Sequence, residues 1–219
     1  MTKYRYPDFA LTLLLFFIAF LPLQAQQQKP WMFKNEKNGV KVYYRETENI
    51  HEVKLITSLQ TTLAGLVRLF NEVDQYPVWG YKITESRLLK KVSDTEMYYY
   101  SRIDFPWPMN DRDVVMHTKL EQDPISKRII SVSRAAPDFI PAVADVVRIR
   151  NANTTWTVHP GQNGWLYVEY VIHSDPGGNL PDWLVNMAID VGPRETIASM
   201  RKRLAQGDYH QTRLAHIKE

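Results

Sequence analysis

The side chains able to do chemistry are few and poorly grouped for catalysis. The six histidines, His51, His117, His159, His173, His210 and His216, show no His-Glu-x-x-His or other close ligand spacing, so a metal centre has little support. The chain has no cysteine, which removes disulfides, thiol catalysis and a cysteine-attached lipid anchor. Neither a Gly-x-Ser-x-Gly elbow nor a phosphate-cradling glycine loop occurs. Arg112-Asp113 invites a catalytic reading, but a structural pair tying a proline corner to a sheet is the simpler one. His173 sits at the end of the last expected strand and reads as a surface residue. What remains is a set of strand hydroxyls, Tyr99, Ser101, Thr118 and Tyr170. If they face inward they must find partners, and a neutral ligand group or trapped water could supply them. This is hydrogen-bonding chemistry rather than proton transfer, and it implies no cofactor.

The elements that must position these residues are mostly strands. Strands are expected over 40–45, 51–60, 83–92, 97–105, 112–122, 129–135, 146–158 and 165–174, separated by turn signals such as Lys37-Asn38-Gly39, Ser93-Asp94, Asp123-Pro124 and 160–164. Along 51–60, Val53, Leu55 and Thr57 alternate with Lys54, Ile56 and Ser58. The tyrosines at 98, 99 and 100 must split between faces, and Tyr99 is assigned inward. Ile103, Val114, Met116 and Ile172 would then line either a cavity or a filled core. Thr62 can cap a short helix whose apolar stripe is Leu63, Leu66, Val67, Phe70 and Val73.

The segment 175–219 is the counterpart of that sheet. A turn at Gly177-Gly178 leads to a possible cap at Asn179, and apolar residues then fall at Leu180, Trp183, Leu184, Met187, Ala188 and Val191, the spacing of one buried helix face. Gly192-Pro193 interrupts the pattern; it predicts either a kinked helix to Leu204 or two separate helices. On the kinked reading, residues 180–191 face a ligand and the basic second half, with Arg201-Lys202-Arg203, packs on the rim. The stretch 136–144 is apolar yet carries Pro137 and Pro141. It either packs under the fold or guards an opening. A run of antiparallel strands with one early and one late helix makes an α+β domain.

Residues 1–25 read as an export signal: Lys3 and Arg5 precede an apolar run from Phe9 to Leu21, and Leu23-Gln24-Ala25 resembles a cleavage site. The run is short for a membrane span of roughly 20 residues. The expected location is therefore periplasmic or secreted; the alternative is an uncleaved membrane anchor. A flexible leader over 26–30, one domain over 31–206 and a C-terminal tail over 207–219 complete the division. With a net charge of +3 and no dense basic stripe, nucleic acid is not an expected partner.

Three stretches together carry a family resemblance. Gly39-Val40-Lys41-Val42-Tyr43-Tyr44-Arg45 is similar to the opening strand of START lipid-transfer domains, members of the helix-grip superfamily. Pro106-Trp107-Pro108-Met109-Asn110-Asp111-Arg112-Asp113-Val114-Val115 resembles their Pro-x-Pro-x-x-x-Arg-Asp signature, and Gly177-Gly178-Asn179-Leu180-Pro181-Asp182-Trp183-Leu184 the entry to their lid helix. The resemblance implies a curved antiparallel sheet gripping the C-terminal helix around an apolar tunnel. It implies a lipid or other hydrophobic molecule as partner, and a gate at Phe139 and Ile140 beside the hinge Gly177-Gly178. A monomer with transient membrane contact is the accompanying expectation. Where sterol-binding members carry an acidic residue and an arginine, this chain has Tyr99 and Thr118, a departure that weighs against a sterol.

Three functions follow for testing: a non-enzymatic lipid carrier of the cell envelope, a cyclase- or aromatase-like enzyme of the same superfamily, and a filled domain that docks a protein partner through Phe139 and Ile140. The enzyme needs an acid/base pair inside the cavity; the third reading needs a cavity too small for a lipid chain.

Overall fold

The computed structural model describes residues 1–2, 29–46, 51–177, 181, 184 and 190–219. Residues 3–28, which hold nearly all of the stretch expected as an export signal, and Gly178, Asn179, Leu180, Trp183, Met187 and Ala188 lie outside the described residues.

Ten strands form one curved, open sheet. β1 (Met32–Lys37) and β2 (Val40–Glu46) are a hairpin. Its turn needs two positive φ angles, which Asn38 (52°) and Gly39 (67°) supply. β3 (His51–Gln60) follows, then α1 (Leu63–Asn71). The Thr62 hydroxyl caps α1 by accepting from Gly65 N–H at 3.0 Å. A short 3₁₀ turn over 73–75 leads to α2 (Tyr76–Trp79), one helical turn. Then come β4 (Ile83–Lys91), β5 (Glu96–Ile103), β6 (Arg112–Gln122), β7 (Ile129–Ala135), β8 (Val147–Arg148), β9 (Asn151–Pro160) and β10 (Trp165–Asp175). α3 (Gly192–Ala205) closes the sheet.

The sheet order is β1-β2-β3-β10-β9-β7-β6-β5-β4, antiparallel along its length. The strand expected over 146–158 is two strands. β8 leaves the path to pair in parallel with the start of β6, Arg112 opposite Val147 and Asp113 opposite Arg148.

On the inner face, Leu55 and Leu59 of β3, Val168 of β10 and Val158 of β9 meet Leu63, Leu66, Val67 and Phe70 of α1 and Ile197, Met200 and Leu204 of α3. This half is a filled core, and each fully buried side chain of this kind contributes about 1.5–3 kcal/mol. The sheet holding a C-terminal helix on its inner face is a helix-grip α+β fold.

The C-terminal helix differs from the expectation in two ways. Asp190 and Val191 form a wider, π-type helical turn immediately before Gly192, and Pro193 then occupies the first turn of α3, where its missing N–H costs nothing. Second, the basic half does not sit on a rim. Ile197 and Met200 are fully buried, and two arginines clamp the helix to the first hairpin. Arg194 donates to the carbonyls of Val40 (2.7 Å) and Lys37 (3.1 Å). Arg201 donates to the carbonyls of Asn38 (2.6 Å), Gly39 and Ser58 (both 3.3 Å) and to the Thr57 hydroxyl (2.6 Å).

The segment after residue 206, expected as a tail, packs against the domain. Tyr209 and Ile217 are buried. The Glu219 carboxylate accepts from the N–H groups of Leu63 and Ala64, both at 2.9 Å, satisfying two orphan donors at the start of α1.

Candidate functional site

Towards β5 and β6 the sheet curves away from the helices, and a cavity of about 340 Å³ opens between them. That is within the usual size range of small-molecule sites. Its walls come from the inner faces of β5, β6, β7, β9 and β10, from α1 and α2, and from the first turn of α3. Strand alternation selects the lining. In β5, Met97, Tyr99, Ser101 and Ile103 point in; in β6, Val114, Met116 and Thr118 do.

All eight strand residues expected at the site, Tyr99, Ser101, Ile103, Val114, Met116, Thr118, Tyr170 and Ile172, line this cavity. Leu184 is buried. Val191 is not on the wall: it is 45 % exposed and faces a surface groove beside Lys37, Asn38 and Arg194. The wider turn at Asp190-Val191 breaks the 3.6-residue phase that carried Val191 onto the inner face in the sequence pattern. Gly192, Pro193 and Thr196 take that place.

The cavity has a polar band and an apolar end. Thr118 lies opposite Ser133, and Ser133 opposite Thr154, so three hydroxyls cross β6, β7 and β9 in one row. Thr118 and Ser133 are hydrogen-bonded at 2.7 Å. The Tyr99 hydroxyl lies beside Ser133 and Thr118, and that of Tyr170 beside Thr154. Burial raises the Tyr99 pKa to about 12, against the smaller opposing pull of Ser133 and Thr118. Burial likewise raises Tyr170 and Tyr76. These phenols stay neutral donors. Around them stand aromatic rings: Trp156 stacks on Tyr170 at 3.8 Å, and Tyr76 meets Tyr99 edge-on at 5.3 Å. Towards the end nearest Gly177 and Gly192 the wall turns apolar, with Ile103, Val114, Met116, Ile149 and Ala152 packed together. No described lining residue carries a charge.

Sequence reasoning missed Phe70, Tyr76 and Trp79, which wall the cavity from α1 and α2, and Ser131, Ser133, Thr154 and Trp156. The strand residues were within reach, because the strands over 129–135 and 146–158 were assigned and their alternation puts these positions inward. Tyr76 gave no signal beyond its place before Pro77. Its hydroxyl donates to the Phe70 carbonyl at 2.6 Å, which fixes the ring across the cavity.

The expected gate is placed elsewhere. Phe139 stacks on Tyr98 at 4.2 Å, and Tyr98 on His117 at 4.1 Å. Tyr98 and His117 are on the outer face of the sheet, since Tyr99 and Thr118 point in. Phe139 and Ile140 therefore border no part of the cavity. Arg148 holds this loop by donating to the carbonyls of Pro137 (2.6 Å) and Ile140 (3.3 Å). The loop is thus tied through Arg148 to Asp113, which is 0 % exposed.

Gly177, expected as part of a hinge, has φ of 73°, a conformation suited to glycine. Arg112 binds there, donating to the carbonyls of Pro176 (3.1 Å) and Gly177 (3.2 Å). Its neighbour Asp113 faces the other way and binds Arg148. The Arg-Asp dipeptide is structural, and its two members hold different elements.

A larger groove, about 700 Å³, lies open between the first hairpin, β10 and the end of α3. It mixes Glu36, Lys41 and Arg201 with Trp165 and Tyr167. Arg201 is already bound to the chain's own carbonyls there. The smaller cavity is the one with no charged residue in its described lining.

A START domain profile matches residues 19–208. An uncharacterized protein of Pseudomonas aeruginosa is 28 % identical over 173 residues, covering 78 % of this chain and 85 % of that one. The phosphatidylcholine transfer protein of Mus musculus is 26 % identical over 201 residues, covering 85 % and 91 %. Among solved structures, a STAR-related lipid transfer protein fragment from Xanthomonas axonopodis superposes with a TM-score of 0.74 at 30 % identity, covering 81 % of this chain and all of that one. Human StAR-related lipid transfer protein 5 shares the fold, with a TM-score of 0.69 at 16 % identity, covering 83 % and 89 %.

Proposed function

The chain belongs to the START domain family, and from that premise we propose that it holds one uncharged or zwitterionic lipid-like molecule in the inner cavity and carries it, without chemical change, within the cell envelope. The observation that carries this reading is the lining: aromatic, aliphatic and hydroxyl side chains with no charged residue among those described. An ionised group sealed there would lack a counter-charge, whereas a hydrocarbon chain gains about 0.8 kcal/mol for each methylene buried. General acid/base work needs a titrating group near neutral pH, and the phenols, held up by burial, are not such groups. Three of the four proteins compared are named for lipid transfer.

The distribution of polarity orients the ligand. Its hydrogen-bonding end meets the row Thr118, Ser133 and Thr154, together with Tyr99 and Tyr170. Its apolar end runs past Met116, Val114 and Ile149 towards the hinge at Gly177. The placement in the envelope rests on reading residues 1–25 as an export signal.

Native mass spectrometry of the purified protein, before and after organic extraction, tests the reading. A mass excess that disappears on extraction, and returns on incubation with phosphatidylcholine vesicles, is expected. A protein that carries no extractable molecule and takes none up from vesicles overturns it.

A further inference from the structure

Beyond the polar end of the cavity, under the β4–β5 hairpin, lies a second compartment of about 120 Å³. Phe70, Met97, Thr118 and Ser131 line both spaces, so the partition between them is one side chain thick. Met97 is the first inward residue of β5 after the hairpin turn, opposite Lys91 of β4 and Thr118 of β6. Its chain is unbranched and changes rotamer readily. Leu88 of the edge strand β4 pairs with the inward Tyr99 and shares its face, yet it is 44 % exposed. With Asn71 and Ser93 also exposed, the compartment opens to solvent along this edge.

The hydroxyl band continues through the partition. Ser131 stands opposite Leu120 on β6 and Trp156 on β9. It is 4 % exposed and borders both spaces, and its hydroxyl has no hydrogen-bond partner among the described residues. Buried hydroxyls are rarely left unpaired, and this one can both donate and accept. It is placed to meet a polar group passing from one compartment to the other.

Charge and size narrow that group. The ionic side chains at the rim are already paired, Lys91 with Asp94 at 2.6 Å, and Glu96 with His117 at 2.7 Å and Lys119 at 3.4 Å. Asn71, Ser93 and Thr95 are the remaining polar groups there. They suit a hydrogen-bonding headgroup without net charge. The inner cavity alone, about 340 Å³, is near the lower limit of roughly 300 Å³ for small-molecule sites, so a chain with a headgroup needs further room.

We propose that the compartment under the β4–β5 hairpin is a headgroup subsite and a second mouth of the cavity. Met97 swings aside, the polar end of the lipid passes Thr118 and Ser131, and its neutral or zwitterionic headgroup rests under the hairpin in contact with solvent. The chain stays in the inner cavity. This rests on the carrier reading and deepens it.

The chain has no cysteine, so one fluorophore can be attached through Ser93→Cys, on the hairpin, or through Val191→Cys, beside Gly192 at the other end of the cavity. Both side chains are exposed. Each labelled protein is loaded with phosphatidylcholine carrying a nitroxide on the choline or, separately, at the end of an acyl chain, and loading is read by native mass spectrometry. The choline nitroxide is expected to quench the emission at position 93 and to leave that at 191 unchanged; the chain-end nitroxide should do the reverse. Ascorbate, which stays in water, should reduce the choline nitroxide of the isolated complex and spare the chain-end one. Quenching at 191 by the choline nitroxide overturns the proposal. So does a bound choline nitroxide shielded from ascorbate, which would keep the headgroup behind the partition. Both results leave the carrier reading standing. A protein that loads neither labelled lipid nor phosphatidylcholine itself overturns the carrier reading, and the subsite with it.

Discussion

Asp113 and Arg148 form a two-point ion pair, 2.7 Å from Nε and 2.9 Å from the second guanidinium nitrogen, with side chains only 1 % and 7 % exposed. It joins β6 to β8 and, through the remaining donors of Arg148, holds the loop that carries Phe139. Removing one partner strands a buried charge. Asp113→Ala should therefore destabilise the protein by about 3–5 kcal/mol, read from chemical denaturation. Replacing both, as Asp113→Leu with Arg148→Met, should restore much of that loss. If the single variant costs less than 1 kcal/mol, the pair does not hold the outer face.

The hydroxyl row gives a selectivity prediction. Thr118 and Ser133 bond to each other and are the polar neighbours of the buried Tyr99 hydroxyl, so removing all three in Thr118→Val/Ser133→Ala/Tyr99→Phe leaves little unsatisfied and should change stability slightly. Affinity for a ligand with a hydrogen-bonding polar end should fall roughly five- to tenfold, with pure hydrocarbons unaffected. Titration with a fluorescent fatty alcohol and its alkane counterpart reads the difference. Equal losses for both would mean that the polar end is not bound at this row.

Filling the apolar end should block uptake. Ala152 packs with Met116 and Ile149 on the cavity wall. Ala152→Phe should cost about 1–3 kcal/mol through overpacking and abolish lipid uptake, while circular dichroism stays that of the folded protein. Full uptake by a folded variant would place the ligand elsewhere.

The buried phenols predict an alkaline limit. Burial lifts Tyr99 to about 12, above its ordinary value near 10. Between these values the folded state holds a proton that the unfolded chain has released, so stability falls as pH rises. The contribution is whole below pH 10 and lost by about 12, up to about 3 kcal/mol for this group. Tyr99→Phe should flatten the decline in a pH series of denaturant midpoints. An unchanged slope would mean that Tyr99 does not titrate with unfolding.

Much of the fold was legible in the chain. Strand alternation put Val53, Leu55 and Thr57 inside β3, and Thr62 capped its helix through a side chain of the expected type. The inward set of β5 and β6 followed once Tyr99 was placed, because side chains alternate strictly. Two local patterns misled. The proline-bearing apolar loop over 136–144 looks like a gate, yet it finds Tyr98 and His117 on the outer face. Val191 fits the helical stripe, yet the wider turn at 190–191 rotates it to solvent.

Periodicity, caps and turn residues are local properties, so the order of elements, the inner face of each strand and the uncharged character of the lining belong to the sequence itself. Which strands become neighbours is not local. The row Thr118, Ser133, Thr154 joins three strands, and the contact of Arg112 with Gly177 spans 65 positions. Only the assembled sheet brings these groups together. Its curvature away from the helices, which leaves about 340 Å³ unfilled, is the outcome of all the pairings at once.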